Sequence, residues 1–170
     1  ALGDLSQDEE MARIVEIVQA ELGGVDILVN NAASGEHQND METAPSGWLD
    51  SYNINLLSMV RLVQHLLPPM REQGWGRIIN ISSILGKMGI PTGAAYSASK
   101  HGLIGLTRTA ALETATTGVT VNAICPGPIR TAMLARRMQV TAELSGESLA
   151  DLEKSMNPMQ RLLEPDEVAE

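Results

Sequence analysis

Tyr96 and Lys100 stand four residues apart in the run Tyr96-Ser97-Ala98-Ser99-Lys100, inside a stretch with helical patterning. A step of four puts both side chains on one helix face, so the ammonium can approach the phenol. A cation beside a phenol stabilises phenolate and lowers its pKa from about 10, which makes the tyrosine a proton donor or acceptor nearer neutrality. Proton transfer at a carbonyl oxygen is the chemistry such a pair can perform. Ser83, thirteen residues before Tyr96 at the end of a strand-like run, adds a hydroxyl able to share the same oxygen.

These residues need elements to hold them. Three short runs rich in Val, Ile and Leu read as strands covered on both faces: VDILVNNAA from Val25, GRIINISS from Gly76 to Ser83, and VTVNAICPG from Val119 to Gly127. Between them lie long helical stretches, one from about Trp48 to Gln73 with a break near Pro68-Pro69, the other from about Ala94 to Thr117. Ahead of the first run, Met11, Ile14, Val15, Val18 and Leu22 share a face of a helix over Ser6 to Leu22, with Ser6 as N-cap and acids in the first turn. Strands alternating with helices predict a doubly wound parallel α/β sheet of Rossmann type, with helices on both faces. Residues Thr131 to Glu164, polar and methionine-bearing between Pro158 and Pro165 at one end and the last strand at the other, read as a helical flap at about 131–164.

In open α/β sheets ligands bind beyond the carboxyl ends of the strands. Those ends carry Asn30-Asn31-Ala32-Ala33, Ser82-Ser83 and Pro126-Gly127, small or polar residues that leave room for a flat ligand and can bond to it. Each alone is equally the chemistry of a turn; the three together favour a site.

Composition narrows the choice. The 170 residues, 44% of them hydrophobic, suffice for one core. A net charge of -9 and the absence of a basic run argue against a nucleic-acid partner. No apolar stretch approaches the roughly 20 residues needed to cross a bilayer, and the N-terminus has no signal-peptide pattern, so the expectation is a soluble cytoplasmic protein with no membrane partner. The single cysteine, Cys125, cannot form an intrachain disulfide, and no Cys/His cluster has metal-site spacing, so no metal is expected. Asn80-Ile81-Ser82 matches a glycosylation sequon within an apolar strand-like run and is read as a chance match.

The ordered set NNAA, NINLL with Asn55, NISS, YSASK and NAICPGPIRT resembles the motif series of the classical short-chain dehydrogenases/reductases, across nearly the whole chain. The resemblance implies hydride transfer between a nicotinamide cofactor, NAD or NADP, and a carbonyl or secondary alcohol carbon. It implies that Tyr96 is the general acid/base, that Lys100 lowers its pKa and binds the nicotinamide ribose, that Ser83 orients the carbonyl, and that Asn55 holds a water continuing the proton relay. By the same resemblance Asp4 meets the adenine amino group, Asn30 and Ala32 line the adenine ribose, and Pro126, Gly127, Ile129 and Thr131 hold the nicotinamide carboxamide. Ala33 stands where the family has glycine. No glycine-rich turn that would cradle the pyrophosphate occurs in these 170 residues. The expectation is a partial single domain over residues 1–170, the catalytic portion of a longer fold that lacks its first βαβ unit and last strand; Ala1-Leu2-Gly3 reads as a strand tail and PDEVAE as the first turn of a cut helix.

GWGRIINISS and TGVTVNAICPG are most similar to the acyl carrier protein and acetoacetyl-CoA reductases of this family, which implies a 3-oxoacyl thioester substrate on coenzyme A or acyl carrier protein and a place in fatty acid metabolism. Free 3-hydroxybutyrate or another small secondary alcohol is the alternative substrate, and a non-catalytic fragment that folds or oligomerises without holding dinucleotide is the alternative of a different class. Helix faces carrying Leu62, Val63, Leu66, Leu103 and Ile104 match the helices that pair between subunits in the family, so a homo-oligomer, dimer or tetramer, is expected. His37, His65 and His101 share no spacing with a nucleophile, and Cys125 reads as a small packing residue. Arg130, Arg136 and Arg137 form either a solvated helix face or a phosphate contact for a thioester carrier. Met133, Met138, Met156 and Met159 read as packing or as an adaptable pocket lining.

Overall fold

The computed structural model describes residues 2–35 and 41–170, which form two compact units, residues 1–125 and 126–170. In the first, α1 (Asp8–Leu22), β1 (Ile27–Asn30), α2 (Pro45–Tyr52), α3 (Ser58–Gln73), β2 (Gly76–Ile81), α4 (Ala94–Glu113) and β3 (Val119–Ile124) follow in chain order. The three strands are parallel in the order β1-β2-β3, the Rossmann-type arrangement that the sequence predicts. Ile27 pairs with Arg77, and Gly76 with Val119, so all three strands end at the same edge.

The sheet buries one face. Along β2, Gly76, Ile78 and Asn80 are buried while Arg77, Ile79 and Ile81 are half-buried, and along β3 Val119 and Val121 are buried while Thr120 and Asn122 are exposed. Val15 of α1, Val63, Leu66, Leu67 and Met70 of α3 and Ala110 of α4 all join one core with Ile78, Val119 and Val121. The cause for α3 and α4 is topological: right-handed crossovers between strands laid down in one direction deliver both connections to the same side. Within the first unit α1, α3 and α4 therefore share one face of the sheet. Ile27 and Val29, expected to be covered on both sides, are 55% and 54% exposed.

Other local expectations are corrected. The helix through Pro68 and Pro69 is unbroken to Gln73, where Gly74 closes it in the left-handed region. Both prolines point outward while Leu66, Leu67 and Met70 pack into the core on the other face, which holds the last turns despite two missing N–H donors. The irregularity lies earlier, at Asn53–Leu57, where the chain makes a π-helical turn between α2 and α3. Ser6 is not the N-cap of α1: its N–H donates to Asp4 Oδ1 and the Gln7 N–H to Asp4 O, a turn that delays the helix to Asp8. α4 ends at Glu113, ahead of Thr117, and Leu2-Gly3 is not in a strand. Val63, Leu66, Leu103 and Ile104, read as pairing faces between subunits, are buried within the chain itself.

The second unit holds α5 (Ala132–Ser145), α6 (Leu149–Ser155) and α7 (Asp166–Ala169). Met138, Leu152 and Leu162 form its core, with Leu134, Ala142 and Met156 against it, and a parallel bridge joins Ile129 to Leu163. Met138 and Met156 are thus packing residues, whereas Met133 and Met159 are 39% and 58% exposed. Among the described residues no helix is long and apolar enough to cross a membrane.

Candidate active site

Lys100 is among the most deeply buried of the predicted residues. It lies two turns into α4, 1% exposed, and its ammonium donates to the backbone carbonyl of Ile81 at 2.8 Å. Burial strips water from the charge and lowers its pKa to about 8, with neighbouring Cys125 acting in the opposite direction. The Nζ also stands 5.7 Å from the centre of the Tyr96 ring, one turn earlier on the same helix face. The Tyr96 ring is half-buried, with the ammonium over it.

The carboxyl end of β2 is fastened to α4 beside this pair. Ser82 Oγ donates to the carbonyl oxygen of Lys100 at 3.1 Å. The short 3-10 turn Ile84–Gly86 follows at once, and Ser83 caps it by accepting from the Leu85 N–H at 3.1 Å. Gly86 makes this approach possible: a Cβ there would lie 2.6 Å from Ser82 Oγ and 2.8 Å from the Lys100 carbonyl oxygen. Ser83 remains half-exposed at the strand end, so its hydroxyl proton can be offered outward while its oxygen holds the turn.

Asn55 sits in the π-helical turn and is fully buried. Its Oδ1 accepts from the Ser34 N–H at 2.8 Å, and its Nδ2 donates to Ser34 O at 3.0 Å and to Ser99 Oγ at 3.2 Å. Ser99 in turn donates to Tyr96 O at 2.7 Å. The carboxamide therefore ties the segment after β1 to the first turns of α4. Sequence reasoning missed Ser34 and Ser99 as its partners; the signal available for Ser99 was its place inside YSASK.

The cofactor positions divide. Asn30 is 3% exposed and turned inward, its Nδ2 donating to Asn80 Oδ1 at 2.8 Å, so the strand end is left to Asn31 and Ala32, both exposed. The Asn30 Oδ1 is buried without a partner. Asp4 is exposed in the turn before α1, its carboxylate held below the usual range by hydrogen bonds from the Ser6 backbone and side chain. In the second unit, Pro126, Gly127 and Ile129 are half-buried, Thr131 caps α5 by accepting from the Leu134 N–H at 3.2 Å, and a Cβ at Gly127 would meet nothing within 4 Å. Ala32 in the first unit and Gly127 in the second are small residues of a type that leaves room for a flat ligand.

Residues weighed outside the site take ordinary places. His101 Nδ1 pairs with Ser97 O at 2.8 Å and His65 is exposed; His37 lies outside the described residues. Arg130 pairs with Glu153 at 2.8 Å and Glu164 at 2.9 Å on the surface of the second unit. Asn80, the sequon asparagine, is fully buried in β2.

Known proteins similar to this chain fall in one family. The family described as short chain dehydrogenase matches residues 1–141. A D-beta-hydroxybutyrate dehydrogenase of Rhizobium meliloti is 40% identical over 143 residues, which covers 84% of this chain and 55% of that protein. A putative ketoacyl reductase of Streptomyces coelicolor is 40% identical over 172 residues, 98% of this chain and 66% of the relative. Among solved structures, an actinorhodin polyketide ketoreductase variant with NADPH superposes with a TM-score of 0.90 at 38% identity, covering 98% of this chain and 66% of that one. The chain thus spans between 55% and 66% of the length of these curated relatives.

Proposed function

This chain belongs to the short-chain dehydrogenase family, and from that premise we propose that it is the catalytic portion of an NAD- or NADP-dependent reductase of 3-oxoacyl thioesters. The observation that carries the reading is the buried Lys100 ammonium standing beside the Tyr96 ring at the strand end that presents Ser83.

The residues have separable tasks. Tyr96 gives its phenolic proton to the substrate oxygen in reduction and takes it back in oxidation. Lys100, held by Ile81 O, places a positive charge where the phenolate forms and lowers the cost of that charge in a partly desolvated site. The Ser83 hydroxyl donates to the same substrate oxygen and fixes its direction. Asn55 holds the helix start in place through Ser99, and its backbone at the π-helical turn is the point where a relay water would attach. When bound, a nicotinamide dinucleotide supplies or accepts the hydride; of the first unit Asp4, Ala32, Tyr96 and Lys100, and of the second Pro126, Gly127, Ile129 and Thr131, are the residues that would each contact it, while the inward-turned Asn30 holds the strand end from behind.

The thioester is favoured by the similarity to ketoacyl reductases over 98% of the chain. The 40% identity to a hydroxybutyrate dehydrogenase supports a second reading, oxidation of a free 3-hydroxy acid. NADH and NADPH consumption by the full-length protein, measured side by side on acetoacetyl-CoA and on free acetoacetate, separates the two. A rate on the thioester at least tenfold the greater supports the first, and the reverse order replaces it with the second. Cytoplasmic location, a role in fatty acid metabolism and assembly as a dimer or tetramer belong to the same proposal; the last is supported by Leu49, Leu57 and Leu112, 70%, 41% and 79% exposed on the helical layer.

A further inference from the structure

We propose that Asn80 and Thr107 are positioning residues that fix the height of α4 against β2, and with it the place of Lys100 and Tyr96 relative to Ser83. This rests on the reading of Tyr96 and Lys100 as the reacting pair.

Asn80 occupies the inward row of β2 after Gly76 and Ile78, and is fully buried. A carboxamide in that row costs desolvation that a leucine of similar shape would not, so its retention calls for a task beyond filling space. Its Oδ1 accepts from Asn30 Nδ2 at 2.8 Å, and its Nδ2 donates to Thr107 Oγ1 at 2.9 Å. Thr107 spends its own proton on Leu103 O at 2.8 Å, one turn back along α4, so its hydroxyl has only acceptor capacity left and the Asn80 amide can face it in one orientation alone. The result is a directed chain from β1 through β2 into the helix, each member nearly or wholly excluded from water.

Tyr96, Lys100, Leu103 and Thr107 follow one another at steps of four, three and four, along a single face of α4. That face meets β2 at two fixed places. At one, Thr107 is bonded by Asn80; at the other, Lys100 is bonded through its ammonium to Ile81 O and through its carbonyl to Ser82 Oγ. The two places are separated along the helix by seven residues, roughly 10 Å. A rod tied at two such points cannot slide or roll on the sheet. Removing the Asn80 to Thr107 tie leaves the hydrogen bonds of this face to β2 at the Lys100 end alone. A displacement of a fraction of an ångström there moves the ammonium and the phenol together, and reacting groups misplaced on the scale of 1 Å lose rate by up to about a hundredfold.

The test is made on the full-length enzyme with Thr107→Val, which keeps the shape and removes the acceptor, with Thr107→Ser, which restores it, and with Tyr96→Phe. The expected result is a fall in kcat of roughly tenfold or more for Thr107→Val with KM for both substrates within about twofold, recovered in Thr107→Ser. A kcat for Thr107→Val within twofold of wild type, or a loss that Thr107→Ser does not recover, overturns the proposal. Turnover that survives in Tyr96→Phe overturns the reading of the tyrosine, on which the rate expectation rests, and passes the placement of α4 to a structural measurement. In that event, or if no turnover is found, a crystal structure of Thr107→Val decides: the proposal requires Tyr96 and Lys100 to shift together relative to Ser83, and unchanged positions of the three contradict it.

Discussion

Lys100 gives its ammonium proton to the backbone carbonyl of Ile81 at 2.8 Å while only 1% exposed to solvent. A charge buried on one neutral acceptor is held at a cost, and that cost has a pH signature. With a folded pKa of about 8 against an ordinary 10.5, both states are protonated below pH 8 and the native state bears the full burial penalty.

Between about pH 8 and 10.5 the native state releases the proton first, so the contribution of Lys100 to stability rises with pH through that window, by about 3 kcal/mol in all. The unfolding free energy of Lys100→Met minus that of wild type, measured in urea from pH 7 to 9.5, is expected to shrink as pH rises. A difference that stays constant would show that the ammonium is not desolvated.

Asn55→Ala removes three hydrogen bonds from a fully buried side chain, two of them to the Ser34 backbone. Destabilisation of about 2–4 kcal/mol is expected from the denaturant midpoint. Ser99→Ala removes one of those bonds and is expected to cost about 1 kcal/mol. Equal losses for the two variants would mean that Asn55 acts on α4 alone and not on the segment after β1.

Gly86→Ala places a methyl group 2.6 Å from Ser82 Oγ and 2.8 Å from the Lys100 carbonyl oxygen. The backbone of α4 must withdraw or the turn must open, at about 1–3 kcal/mol. Turnover is expected to fall more than stability, because the turn carries Ser83 and the helix carries Lys100. A variant with normal kcat and an unchanged melting temperature would show that the 3-10 turn yields freely.

Thr92 has φ 56, a left-handed conformation unfavourable to a β-branched residue, in the exposed stretch leading to α4. Thr92→Gly is expected to raise the unfolding free energy by about 1 kcal/mol. The comparison is made by thermal and urea unfolding; a lower stability in Thr92→Gly would show that the threonine side chain makes up for the strain.

Much of this architecture is written in the residues. The apolar runs at Ile27, Gly76 and Val119 fall where β1, β2 and β3 lie, and the four-residue step from Tyr96 to Lys100 becomes a real approach of ammonium to ring. What was not legible depends on position in three dimensions. A hydrophobic strand looks the same whether one face or two is covered, and only strand order reveals that α1, α3 and α4 share a side. Pro68 and Pro69 read as a break because local propensity cannot weigh the burial of Leu66, Leu67 and Met70 around them. The π-helical turn at Asn55 follows from its bonds to Ser34 and Ser99, 21 and 44 residues away, which no local pattern encodes. Asn80 is the clearest case, a glycosylation match in sequence that the fold converts into a buried bridge between Asn30 and Thr107.

The most direct test of the account is turnover of the full-length protein with Tyr96→Phe, on whichever carbonyl substrate the wild type reduces. Removing one phenolic oxygen from a half-buried ring leaves its packing in place, so binding of the dinucleotide is expected to persist while kcat falls by at least about a hundredfold, the scale of positioned acid/base catalysis. A Tyr96→Phe enzyme that binds dinucleotide and turns over within tenfold of wild type would contradict the assignment of the proton-transfer step to this residue.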